Sequence, residues 1–383
     1  MFWKCAEESK LNIAKRNVPF FDYPKLFELD RNLILSALED VGSRGAFIMQ
    51  KDLIDFEINL AKFTNSDFSV GVGNATDGLE LAWLSVGLRK GDEVIISSHT
   101  MLATASAIVT AGGVPVPVEI GNDGLIDPAA VSAAITKNTV GISPTHLNGR
   151  TCNMDKLMQI AEKHSLVVVE DAAQALGSTF RGKHSGTFGI AGSISFFPAK
   201  VLGALGDAGA VITSNQETFD KIYQLHDHGR DRDGRVKSWG RNSRLDNLQA
   251  AILNRKFKNY SDVISRRRDV ARIYEDELGQ LEQIVLPPSP NSGDHFDVYQ
   301  NYEIVAHKRD KLKAYLLENG VGTLIQWSGK AVHQWEGLGF NIKLPKVESF
   351  FEKCLMLPMN YFISNDDVLY ICSIVKDFYA KEG

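Results

Sequence analysis

The sequence predicts an α/β protein, with a large domain on a mostly parallel sheet followed by a small α+β C-terminal domain. Three observations predict it. The chain has 383 residues, beyond the size at which a single hydrophobic core usually stops growing. Between about residues 70 and 215 short apolar runs alternate with helical patterns, which is how βαβ units read in sequence. Most of those runs are Val/Ile-rich and too continuous to be half-exposed, as expected of a sheet covered on both faces.

In chain order the runs Glu93–Ser97, Val114–Glu119, Thr139–Ser143, Leu166–Glu170, Ser193–Phe197 and Ala210–Thr213 read as strands. Thr76–Val86, Thr100–Ala111, Pro128–Ile135 and Asp155–His164 read as the helices between them. A long charged helix, Arg255–Leu281, then leaves the large domain, and Pro287-Pro288-Ser289-Pro290 signals a loop. A strand over Asn301–Ala306 and a helix over Lys308–Asn319 suggest the smaller domain. The large domain, with an N-terminal arm, is thus expected over residues 1–255 and the small one over 256–383.

A hydrophobic fraction of 44% with 23% charged residues reads as globular. The net charge of −5 argues against a nucleic-acid partner. No apolar run approaches the ~20 residues of a membrane span, and Met1–Asn17 has no apolar centre, so neither a membrane nor a secretory route is expected. Cys5, Cys152, Cys354 and Cys372 lie far apart. That spacing fits no disulfide framework and no metal site, and a cytoplasmic setting is expected.

Ligands of open α/β sheets sit beyond the carboxyl ends of the strands, and the chemistry-bearing residues gather at such ends. Asp171 falls where Leu166–Glu170 runs out, with Gln174 one helical turn later. An acid there can bind a metal, a ribose or a cationic ring nitrogen; taken alone it also reads as a helix N-cap. Ser195 and Lys200 lie on a second strand-to-loop edge, Ser195-Phe-Phe-Pro-Ala-Lys200. Desolvation there would favour the neutral amine that forms imines, whereas a lysine picked at random usually snorkels to water.

Gly71-Val-Gly-Asn-Ala-Thr-Asp77 is a glycine-rich turn opening a helix, where backbone N–H groups can cradle a phosphate. It is no dinucleotide fingerprint, since Thr76 stands where the third glycine belongs. Gly177-Ser-Thr-Phe-Arg-Gly182-Lys183 imitates a P-loop, but His184 replaces the hydroxyl residue that would meet magnesium, and it reads as a surface turn.

Taken together and in order, these stretches resemble the DegT/DnrJ/StrS family of sugar aminotransferases. Glu170-Asp-Ala-Ala-Gln-Ala175 and Ser195–Lys200 match two of its signatures. Gly240-Arg-Asn-Ser-Arg-Leu-Asp-Asn-Leu-Gln-Ala-Ala-Ile252 matches a third, and Leu357-Pro-Met359 a fourth. The likeness runs from about Val18 to Tyr379.

The resemblance implies the aspartate-aminotransferase-like fold (PLP fold type I) and pyridoxal 5′-phosphate (PLP) as cofactor. Lys200 would hold PLP and act as general acid/base, Asp171 would keep the pyridine nitrogen protonated, and Gln174 would meet the ring's 3-oxygen. Ser195 with the backbone of Ala75 and Thr76 would bind the phosphate. Asn242 would reach the phosphate of a neighbouring subunit in a homodimer with shared sites; otherwise it caps a helix beginning near Arg244. The basic stretch His226–Arg244 would face phosphate groups, with Arg232 and Arg235 also readable as solvated loop cations. Arg244 and His333 are candidate substrate contacts.

Two positions depart from the family pattern. Met101 stands where an aromatic residue usually covers the ring, and Ala75 replaces a more usual glycine. A family branch carries His in place of the lysine and dehydrates its substrate; Lys200 points away from it. The implied reaction moves the amine of L-glutamate to a keto group of a nucleotide-linked sugar, and Asn74–Asp77 with His99-Thr100 lean towards amination at C3 over C4. A cyclitol or other keto-sugar without a nucleotide is an alternative substrate, and a non-catalytic PLP-binding regulator an alternative function.

Overall fold

A computed structural model describes residues 15–290 and 293–382. Cys5 and most of Met1–Asn17 lie outside them. The large unit is a seven-stranded sheet in the order β1-β9-β8-β5-β4-β2-β3. Its members are β1 (Phe68–Val72), β2 (Glu93–Ser97), β3 (Val114–Val118), β4 (Thr139–Ser143), β5 (Val167–Asp171), β8 (Ala191–Ser195) and β9 (Gly209–Thr213). Every neighbouring pair is parallel except the two that β9 makes, with β1 and β8. Between β5 and β8 the expected surface turn is a hairpin of β6 (Thr179–Phe180) and β7 (Lys183–His184), turning through Arg181 and Gly182 at positive φ.

Helices α1 (Tyr23–Arg44) and α2 (Lys51–Thr64) precede the sheet. Helices α3 (Ala75–Ser85), α4 (Leu102–Thr110), α5 (Pro128–Ala134), α6 (Met154–His164) and α7 (Gln216–His226) connect or follow its strands. They cover both faces: Trp83, Ile96, Val169 and Val211 pack in one cluster, and Phe56, Ile194, Phe196 and Ile212 in another. Alternate residues of a strand point to opposite faces, so Val211 and Ile212 enter different cores.

The expected helix over Arg255–Leu281 is two helices, α8 (Asn247–Phe257) and α9 (Tyr260–Leu278). The break at Lys258-Asn259 buries Tyr260, which stacks on Phe257 and donates its hydroxyl to the carbonyl of Leu176 at 2.8 Å. A straight helix would forgo that anchor. α9 runs between two cores, with Tyr260 and Ile264 in one and Val270, Tyr274 and Leu278 in the other. The second core is closed by a three-stranded sheet of β10 (Ile284–Val285), β12 (Tyr302–Ala306) and β13 (Cys354–Leu357). It is covered by α10 (Arg309–Glu318) and α12 (Asn365–Glu382), while α11 (Pro345–Lys353) leads into β13. β11 (His295–Phe296) crosses back to pair with β6.

Two strand ends differ from the sequence reading in ways that matter for the site. β5 runs one residue further and ends on Asp171, and β8 ends at Ser195 rather than Phe197. β8 starts at Ala191, where its pairing with Val169 of β5 begins, and at Gly192 it passes so close to Gly186 that a Cβ would lie 2.4 Å from that Cα. Among the described residues no helix is long and apolar enough to cross a membrane.

Candidate active site

The parallel strands β5 and β8 are hydrogen-bonded neighbours, so Asp171 and the Ser195–Lys200 turn open on one edge of the sheet. Asp171 is 3% exposed. Its backbone is locked to the next loop by Asp171 N–H to Pro144 O and His146 N–H to Asp171 O, both 2.9 Å. One carboxylate oxygen accepts the Thr104 hydroxyl at 2.6 Å and the other the Ala173 N–H at 3.1 Å. Thr104 belongs to a hydroxyl cluster with Thr100 at 2.8 Å, and Thr100 meets Thr145 at 2.7 Å. The simple N-cap reading of Asp171 fails, because no helix of the fold begins at Ala172.

Behind Asp171, fully buried Glu170 accepts backbone N–H groups from Gly186, Phe188 and Gly189 at 2.8, 2.6 and 2.7 Å. His146 Nε2 lies 2.7 Å from the same carboxylate, while its Nδ1 accepts the Cys152 N–H at 3.0 Å. The proton is therefore on Nε2, donated to Glu170. This satisfied carboxylate fixes the strand end on which Asp171 sits.

Lys200 follows a turn closed by its own N–H to Phe197 O at 2.8 Å. Its side chain is half-buried, and its amine has no hydrogen bond or ion pair among the described residues. Loss of water pushes the amine down to about 8, against the opposing pull of the Asp171 carboxylate. A neutral, unengaged amine is what nucleophilic attack on a carbonyl requires.

At the other end of the cleft, Asn74 caps α3 by accepting the Asp77 N–H at 2.9 Å. That leaves the first N–H groups of the helix, at Ala75 and Thr76, for an outside acceptor. β9 presses against this turn: a Cβ on Gly209 would lie 2.6 Å from Asn74 C and 2.7 Å from Ala75 N. The Ser243 hydroxyl ties the turn down, accepting from Gly73 N–H at 3.2 Å and donating to Asp77 at 2.7 Å. The Ser195 hydroxyl is half-buried and accepts Phe197 N–H at 3.3 Å.

Gln174 Oε1 accepts Asn148 N–H at 2.8 Å and the Asn301 amide at 3.4 Å, and its own amide nitrogen donates to no described group. Met101 is 47% exposed at the N-terminus of α4, outside the core. Asn242 is exposed and pairs through its backbone with Asp227. It does not cap a helix, since α8 begins at Asn247 behind Asp246.

The basic stretch is largely self-paired. Arg244 reaches Asp227 at 3.0 Å, Arg241 reaches Glu80 at 2.5 Å, and Arg232 lies over the ring of Phe219 at 4.6 Å. His333 is buried, with Nδ1 2.7 Å from the Ser98 hydroxyl and Nε2 3.0 Å from Glu348. Both of its ring nitrogens are thus occupied within the chain.

Sequence reasoning missed Thr104, His146, Asn148, Asn301 and the anchoring role of Glu170. Thr104 gave no distinct local signal, since its helix also carries the hydroxyls of Ser106 and Thr110. The residues present fit PLP: an unengaged amine for its aldehyde, a buried carboxylate for its ring nitrogen, and a helix N-terminus with a serine for its phosphate.

Comparisons with known proteins agree with that fit. The family model described as the DegT/DnrJ/EryC1/StrS aminotransferase family matches residues 29–376. A "Pleiotropic regulatory protein" of Geobacillus stearothermophilus is 36% identical over 95% of this chain and 99% of its own. A "dTDP-3-amino-3,4,6-trideoxy-alpha-D-glucose transaminase" of Streptomyces venezuelae is 33% identical over 95% of this chain and 97% of its own. The crystal structure of S. venezuelae DesV in complex with a ketimine intermediate superposes with a TM-score of 0.91 at 34% identity, over 94% of this chain and 98% of that one. The chain belongs to the DegT/DnrJ/EryC1/StrS aminotransferase family and is a PLP-dependent sugar aminotransferase.

Proposed function

We propose that the chain transfers the amino group of L-glutamate to a keto group, at C3, of a nucleotide-linked deoxysugar. The observation that carries the reading is the Lys200 amine, drawn down to about 8 by burial and unpaired among the described residues, beside the strand that ends on Asp171. The nucleotide and the C3 position draw support from the Streptomyces relative, whose name specifies a dTDP-linked 3-amino sugar.

When bound, PLP supplies an electron sink through which an amine is exchanged for a carbonyl. Lys200, whose amine burial draws down to about 8, would serve there as the general acid and base that moves a proton. Asp171 holds a proton at the ring nitrogen, and Thr104 holds Asp171. Gln174 donates to the ring's 3-oxygen. Ala75 and Thr76 N–H groups and the Ser195 hydroxyl bind the phosphate, and Met101 packs on the ring face. Arg244 can meet the sugar substrate through the guanidinium N–H groups that Asp227 leaves unused, whereas His333 meets it only by giving up Ser98 or Glu348.

The active form in this proposal is a homodimer in which Asn242 completes the partner's phosphate site. Its exposure supports this, as do the apolar side chains left outside on α1 and α2, among them Leu29, Leu38, Ile54 and Ile58. Refolding Lys200→Ala together with Asn242→Asp tests it. Shared sites restore activity in about a quarter of all sites, whereas unshared sites restore none.

The substrate is tested by loading the protein with pyridoxamine phosphate and offering a panel of keto-sugar nucleotides, free keto-sugars and keto-cyclitols. Amination of a 3-keto nucleotide sugar, seen by mass spectrometry, is the expected result. Turnover confined to a non-nucleotide ketone would overturn it. The first relative's regulatory name raises a second reading, that of a PLP-binding regulator. Conversion of L-glutamate to 2-oxoglutarate in a single turnover separates the two.

A further inference from the structure

Asn148 follows β4 in the left-handed region, with φ 57° and ψ 14°. Non-glycine residues seldom adopt it, although Asn does so more readily than most. From that position it makes four polar contacts, two as donor and two as acceptor. Its backbone N–H donates to Gln174 Oε1 at 2.8 Å. Its side-chain Nδ2 donates to Glu303 Oε2 at 2.7 Å, and its Oδ1 accepts Asn301 Nδ2 at 2.8 Å and Gln326 Nε2 at 2.9 Å.

The two ends of this network remove the ambiguity that side-chain amides normally carry. A backbone N–H can only donate, so the Gln174 atom that faces it must be the oxygen. A carboxylate can only accept, so the Asn148 atom facing Glu303 must be the nitrogen, and its oxygen must then face Asn301 and Gln326. Gln326 donates to the same Glu303 oxygen at 3.1 Å, and Asn301 reaches back to Gln174 at 3.4 Å. Gln174 lies just past β5 in the large sheet, whereas Asn301 and Glu303 lie at the start of β12 in the small one. The Gln174 amide is thus oriented by a residue of its own domain whose side-chain hydrogen-bonding groups are committed to Asn301, Glu303 and Gln326 of the C-terminal part.

We propose that Asn148 is a positioning residue that locks the Gln174 amide with its nitrogen towards the cofactor and ties that orientation to the C-terminal sheet. The proposal rests on the reading that Gln174 donates to the 3-oxygen of the ring. A donor there stabilises the oxyanion and lowers the pH at which the bound cofactor's visible spectrum titrates. Loosening the donor raises that pH.

The test is a double-mutant cycle on the spectrum of the PLP-loaded protein. Gln174→Ala removes the donor. Asn148→Gly tolerates positive φ and keeps the backbone N–H, but deletes the side chain that holds the loop. Each single variant should raise the spectral midpoint, by about 0.4–1 pH unit for Gln174→Ala and by no more than that for Asn148→Gly. In the Gln174→Ala background, Asn148→Gly should add nothing. If Asn148→Gly does not fold, Asn301→Ala serves, since it removes the donor shared by Asn148 Oδ1 and Gln174 Oε1. A shift from Gln174→Ala with none from Asn148→Gly overturns the positioning role alone. An equal Asn148→Gly shift with and without Gln174 also overturns it. A silent Gln174→Ala overturns the 3-oxygen reading, and the proposal with it.

Discussion

The two ends of the candidate cofactor site are built from different materials. At the proposed phosphate end the recognition groups are mainly the backbone N–H groups of Ala75 and Thr76, set by a helix start and by the close approach of Gly209, with the Ser195 hydroxyl beside them. At the proposed ring end they are the side chains of Asp171, Gln174 and Lys200, the first two held by contacts drawn from other parts of the chain and the third left unengaged on a local turn. Thr104 holds Asp171, and Asn148 with Asn301 holds Gln174. A backbone cradle depends on shape and tolerates changes of side chain. A ring site made of side chains depends on chemistry, and each member can be altered singly without moving the backbone.

The contrast fixes the order of effects. Asp171→Asn preserves shape and removes charge, so PLP should still bind while transamination falls by roughly 10²-fold or more. Near-normal turnover in that variant would break the distinction between the two ends. Gly209→Ala does the reverse. Its Cβ would meet α3 backbone at 2.6–2.7 Å, and overpacking of that kind costs about 1–3 kcal/mol. PLP affinity should drop by about tenfold while turnover of the loaded enzyme changes little; unchanged affinity would mean the cradle is not there.

The smallest effect is one of pH. Because burial lowers the Lys200 amine to about 8, the rate at which apoprotein takes up PLP should rise with pH and level off above about 8. A midpoint near the ordinary lysine value of 10.5 would contradict the desolvated site. The same depression carries a stability sign. The unfolded chain binds the proton more tightly, so the apoprotein gains stability as pH rises from about 8 towards 10.5, a gain absent from Lys200→Met.

Most of the large sheet was legible in the sequence. Continuous Val/Ile runs mark buried parallel strands, and six of the seven sheet strands lie where those runs predict them, with ends moved by at most two residues. β1 was missed, since Phe68-Ser-Val-Gly-Val72 is interrupted by Ser and Gly. The join of α8 and α9 was read as continuous because helical periodicity carries across it. Burial of Tyr260, a tertiary event, breaks it.

Within the site, Asp171 and Gln174 share one short stretch, and so do Ser195 and Lys200, so local spacing could point to them. Asn148, Asn301 and Glu303 carry no such signal. About 150 residues separate the first from the others, and only the packing of one sheet against the other brings them to Gln174. His333 was read as a candidate substrate contact, and the fold engages both of its ring nitrogens, with Glu348 fifteen residues on and with Ser98 from the far side of the sequence.

The central claim is that Lys200 is the one amine that engages PLP. Borohydride reduction of the yellow, PLP-loaded protein, followed by proteolysis and mass spectrometry, tests it directly. The account predicts that the cofactor is fixed covalently to the peptide containing Lys200 and that Lys200→Ala retains no label. Recovery of the label on any other lysine peptide of the native protein would contradict it.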